Sequence, residues 1–64
     1  MKLSSLNRFK GKTVQVAFTD KDGEPMDIKG KLEEITPDFI TIDFETGLEN
    51  IPIRDIIRIE QRIV

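Results

Sequence analysis

Apolar and polar positions alternate along most of this chain, in short runs separated by turn residues. From Thr13 to Thr19, Val14, Val16 and Phe18 form one set and Thr13, Gln15 and Ala17 the other. A period of two places one set on a buried face and the other on an exposed face, so the run predicts a half-buried strand. Asp20-Lys21-Asp22-Gly23-Glu24-Pro25 is a turn by composition. A second strand is predicted from Met26 to about Ile35, with Met26, Ile28, Gly30 and Leu32 on its apolar face. Its parity slips between Leu32 and Ile35, which predicts a bulge near Glu33-Glu34. After Thr36-Pro37-Asp38, a third strand runs from Phe39 to Phe44 with Ile40, Ile42 and Phe44 inward. Glu45-Thr46-Gly47 turns the chain into a fourth strand that includes Ile51 and Ile53, with Pro52 between them. Arg54-Asp55-Ile56 reads as one tight turn, and Ile57 and Ile59 as the inward positions of a fifth strand.

Two features refine this pattern. Gly30 stands on the apolar face of the second strand, where a glycine forfeits packing area and marks a sharp bend or a close backbone approach. Small barrels need such a strand, bent hard enough to serve both halves. Ahead of the first strand, Ser4-Ser5-Leu6-Asn7-Arg8-Phe9 has the composition of one helical turn. Ser4 or Ser5 would cap it, Leu6 and Phe9 would share one side, and Gly11 would end it. Short strands with turn signals between them predict an all-β domain: a five-stranded small barrel after a short N-terminal helical turn.

Sixty-four residues make one domain, 1–64. A chain this short buries only about 60% of its unfolded surface. With no cysteine and no histidine, its core rests on aliphatic packing, to which ten isoleucines contribute. The same two absences exclude thiol chemistry, Ser-His or Cys-His catalysis, and zinc sites built on those residues. No segment approaches a membrane span, and the polar N-terminus does not resemble a signal peptide. These features, with the absence of cysteine, predict a soluble, cytoplasmic protein.

The net charge of −2 is unevenly spread: residues 1–19 carry +4, residues 20–50 carry −7, and residues 51–64 carry +1. An acidic middle repels phosphate and attracts basic partners, or it is an ordinary solvated surface. Gly11-Lys12-Thr13 matches only the tail of a P-loop: Leu6 stands where the first glycine belongs, and a strand follows rather than precedes it. Asp20-x-Asp22-x-Glu24 has the opening spacing of a calcium loop, but glycine is fourth rather than sixth and Lys31 occupies the twelfth position. Glu33-Glu34 and Asp43/Glu45 are paired carboxylates, but a barrel this small leaves no cleft to separate their pKa values. No enzyme, metal or cofactor is therefore expected.

The strand pattern with its bent glycine strand resembles the Sm-like/SH3-like small barrel. Within that group the positions that carry RNA recognition in Sm proteins differ. The aspartate after the bent strand is replaced by Thr36, the RNA-contacting asparagine by Ile40, and the closing Arg-Gly pair by Arg54-Asp55. A closer resemblance is to the C-terminal domain of the ribosome maturation factor RimP family. It is carried by Arg8-Phe9-Lys10-Gly11-Lys12 before the first strand, by Gly30-Lys31-Leu32, and by Ile51-Pro52-Ile53-Arg54-Asp55-Ile56, and it spans roughly residues 6–60. The N-terminal α/β domain of that family is absent from this sequence.

The resemblance implies a non-catalytic protein-binding module in small ribosomal subunit assembly, with a basic small-subunit ribosomal protein as partner. The candidate surface is Glu33, Glu34, Asp38, Phe39 and Asp43. Phe39 has outward parity and serves either as an exposed anchor or as the closure of the barrel end. The alternative is an Sm-like RNA-binding module using Arg8, Lys10 and Lys12. Pro52 is expected to blunt the edge of the fourth strand and keep the protein a monomer.

Overall fold

The computed structural model describes residues 3–62. Five strands follow a helical segment: β1 (Thr13–Thr19), β2 (Pro25–Ile35), β3 (Phe39–Phe44), β4 (Gly47–Pro52) and β5 (Ile56–Gln61). They form one antiparallel sheet in the order β4-β3-β2-β1-β5. The domain is all-β, as the alternation predicts. Among the described residues no helix is long and apolar enough to cross a membrane.

β2 is the hub of the sheet. Residues 25–31 pair with β1, residues 31–35 pair with β3, and the two ladders meet only at Lys31. Gly30 immediately precedes that handover. A Cβ built on it would lie 2.5 Å from the carbonyl oxygen of Asp43 and 2.7 Å from Cγ2 of Ile42. Only glycine admits β3 this close, which is the approach expected of it. The expected bulge is also present, between Leu32 and Glu34. It returns Ile35 to partnership with Ile40.

The core consists of Leu6, Phe9, Val14, Val16, Phe18, Leu32, Ile40, Ile42 and Ile51. Ile28, Ile35, Phe44, Ile53, Ile56 and Ile59 pack against it. One cluster thus draws on all five strands and on the N-terminal segment. That segment is an α-helical turn, α1 (Leu3–Leu6), continued as a 3-10 turn (Asn7–Phe9). Ser5 falls inside the α-helical turn rather than before it, and the cap expected of Ser4 lies outside the described side chains. Gly11 and Lys12 then hydrogen-bond to Leu32: Gly11 N–H donates to the Leu32 carbonyl at 2.8 Å, and Leu32 N–H donates to the Lys12 carbonyl at 3.0 Å. These bonds seat Leu6 and Phe9 over the core beside the bend of β2.

Two inward assignments are corrected, and one residue leaves its strand. Met26 is exposed, because β3 accompanies β2 only from Lys31 onward and leaves the first residues of β2 uncovered. Ile57 is 62% exposed. The β1–β5 register slips so that Ala17 pairs with Arg58 and Phe18 with Ile56. The extra residue, Ile57, bulges outward, and Ile56 takes the core position. β4 ends at Pro52. Ile53 opens a 3-10 turn (Ile53–Asp55), from which it still packs on the core.

Candidate protein-binding surface

Three hairpins set the surface of the sheet. The β1–β2 turn is built on Asp20. Its carboxylate Oδ1 accepts the N–H groups of Asp22 and Glu24, each at 2.9 Å, and Gly23 completes the turn with φ +81°. A side-chain acceptor at this position organises the loop from within, so the Asp20-x-Asp22-x-Glu24 spacing serves a turn. Among the described residues no group of three acids is placed to hold a metal ion.

The β2–β3 turn is built on Thr36. Its Oγ1 accepts the N–H of Phe39 at 3.1 Å and of Asp38 at 3.3 Å, and donates to the Phe39 carbonyl at 3.1 Å. Thr36 N–H donates to the same carbonyl at 2.9 Å. Phe39 is therefore fixed at the start of β3, opposite Pro52 of β4.

The β3–β4 hairpin then places three cross-strand rows on the outer face. Phe39 faces Pro52; Thr41 lies between Glu34 of β2 and Asn50 of β4; Asp43 lies between Lys31 and Leu48. Thr41 is only 9% exposed although it points away from the core, and its hydroxyl donates to Oδ1 of Asn50 at 2.8 Å. Leu48 is 68% exposed. Glu33, Glu34, Phe39, Thr41, Leu48 and Asn50 line one shallow groove. Half-buried Phe39 and the hydrogen-bonded Thr41 and Asn50 form its floor, exposed Leu48 lies beside them, and Glu33 and Glu34 make one wall acidic.

Of the five residues expected here, Glu33, Glu34 and Phe39 share this groove. Asp38 is next to them, in a second depression that also takes in Phe39, Pro52 and Arg54. Asp43 is one row further along β3, opposite Leu48, and lines a separate depression with Gly30, Phe44 and Glu45. Phe39 is half-buried, so it forms part of the groove floor rather than a projecting anchor. Sequence reasoning missed Thr41, Leu48 and Asn50. Thr41 and Asn50 read as solvated polar positions, and Leu48 sits in a polar stretch with no alternation to mark it.

Arg8, Lys10 and Lys12 are all exposed, along the N-terminal segment. Lys2, counted with them in the charge of residues 1–19, lies outside the described residues. The Arg8 guanidinium carbon sits 4.8 Å from the centroid of the Phe9 ring, and Phe9 is buried. The cluster thus has no open aromatic face among the described residues for base stacking. Two ion pairs among the described residues lie along single strands, one on β5 and one on β2. Arg58 lies 3.3 Å from Glu60 and Lys31 lies 3.9 Å from Glu33. Arg62 donates to Gln15, which in turn donates to Asp27. Compared with family models, with curated proteins and with solved structures, the chain matches none.

Proposed function

We propose that this domain is a non-catalytic protein-binding module that receives a basic partner on the outer face of β2, β3 and β4. The observation that carries this reading is the groove in which exposed Leu48 and half-buried Phe39 lie beside Glu33 and Glu34, over the Thr41–Asn50 hydrogen bond. Apolar contact area rimmed by like charges suits a partner that brings aliphatic groups and cations together. The resemblance to the C-terminal domain of the RimP family supplies the setting. In that reading the partner is a basic ribosomal protein and the process is small-subunit assembly in the cytoplasm.

The test is affinity for a basic small-subunit ribosomal protein and, separately, for single-stranded RNA. Both are measured for the native chain and for a Glu33→Gln/Glu34→Gln/Asp38→Asn variant. The expected result is protein binding that weakens in the variant, with the largest loss at low ionic strength. Asp43→Asn, opposite Leu48 but outside the residues that line the groove, is expected to have a smaller effect. Tight RNA binding at physiological salt, with no binding to the basic protein, would replace this reading by the Sm-like one on Arg8, Lys10 and Lys12.

A further inference from the structure

β4 is an end strand of the sheet, and its outward edge is open. Ile53 N–H donates to the Asp38 carbonyl at 3.0 Å, on the β3 side. In an antiparallel ladder, successive residues direct their N–H and C=O groups to opposite sides. With Ile53 facing β3, residues Ile51, Glu49 and Gly47 face β3 as well. Leu48, Asn50 and Pro52 direct their main-chain groups to the open side. Pro52 has no N–H, so the edge offers the donors and acceptors of Leu48 and Asn50, followed by one carbonyl.

The opposite edge of the sheet differs. β5 carries the Ile57 bulge and the charges Arg58 and Glu60, devices that discourage strand pairing. β4 has Pro52 at its end and Glu49 along its length. A groove runs along the open side of β4, with Asp20, Asp22, Glu49 and Asp55 on its walls beside Lys21 and Arg54. The groove holding Glu33 and Glu34 also contains Asn50. Six carboxylates and two cations therefore flank this one edge. An added strand would direct its alternate side chains to its two faces and meet negative potential on both.

We propose that the basic partner docks by strand addition: an extended, lysine- or arginine-bearing segment pairs its backbone with Leu48 and Asn50 of β4. This rests on the protein-binding reading above and specifies the form of its partner. Main-chain pairing supplies the docking geometry, and the flanking carboxylates select a cationic segment. Leu48, exposed beside the edge, gives the added strand an apolar contact.

The test uses the full chain with a short synthetic peptide of alternating lysine and valine. A second peptide of the same sequence is N-methylated at every other residue on one edge, and a third on the other edge. Methylation leaves the charge in place and removes the donors of one edge. The expected result is that the unmodified peptide binds and slows amide exchange at Leu48 and Asn50. Methylating the pairing edge should weaken binding by about tenfold, the effect of losing a pair of hydrogen bonds. Equal affinity for all three peptides, or unchanged exchange at Leu48 and Asn50, would overturn strand addition. If that equal affinity still falls in the Glu33→Gln/Glu34→Gln/Asp38→Asn variant, charge-guided docking survives and only its strand geometry is lost. Failure of the unmodified peptide to bind overturns the proposal, while the ribosomal-protein measurement decides the broader reading independently.

Discussion

Gly30 of β2 runs so close to Asp43 of β3 that a single added carbon would enter the van der Waals shell of the Asp43 carbonyl oxygen. The neighbouring atom on the other side is Cγ2 of buried Ile42. Relief would require β3 itself to move, because the obstructing oxygen is backbone. Gly30→Ala should therefore destabilise the domain by about 2 kcal/mol, the usual scale of overpacking, and Gly30→Val by more. Urea denaturation measures this, and unchanged stability in both variants would show that β3 yields freely at the handover.

Thr36 makes a narrower contribution through its hydroxyl. Thr36→Val keeps the shape and β-branching but removes an acceptor for two N–H groups and a donor to the Phe39 carbonyl. A loss of about 1 kcal/mol is expected, since the turn is partly solvated and water replaces part of the bonding. Thr36→Ser should retain most of the stability. A loss in Thr36→Ser with none in Thr36→Val would assign the effect to the methyl group instead.

Leu48 and Ile40 separate binding from folding. Ile40 is fully buried, and Ile40→Ala should cost about 2–5 kcal/mol. Leu48 is largely in solvent, and Leu48→Ser should change stability by no more than about 0.5 kcal/mol. The same Leu48→Ser change should weaken partner binding measurably, because an exposed apolar residue lining a docking groove gains burial only in the complex. A thermal melt and a titration on the same samples give both numbers. A Leu48→Ser variant that binds as well as the native chain would remove Leu48 from the surface.

The protein is expected to sediment as a monomer at micromolar concentration. Bringing the β4 edges of two copies together would oppose the carboxylates that flank each edge, and Pro52 shortens the available pairing. Across β5, the Ile57 bulge interrupts a regular edge. A stable ring of six or seven copies would contradict this and favour the Sm-like alternative.

The sequence by itself determined the strands and most of their inward faces. Alternation is a local property, so Val14, Val16 and Phe18, or Ile40 and Ile42, declare their side of the sheet without knowledge of a partner. Gly30 and the slip at Glu33-Glu34 are local irregularities in that alternation, and both mark true distortions of β2. Of the candidate surface, Glu33, Glu34 and Phe39 were legible because they flank the Thr36-Pro37-Asp38 turn and come together through a single hairpin.

Tertiary structure decided the rest. Ile57 obeys the alternation expected of its own strand, yet the β1–β5 ladder slips beside it and turns it out, because a bulge belongs to a pair of strands rather than to one. Met26 has inward parity but no cover, because β3 joins β2 only from Lys31. Asp43 and Glu34 carry the same charge on neighbouring strands, but only Glu34 enters the groove with Leu48 and Asn50. Parity says which way a side chain points. What meets it there depends on register and sheet order, which contacts between residues distant in the chain establish.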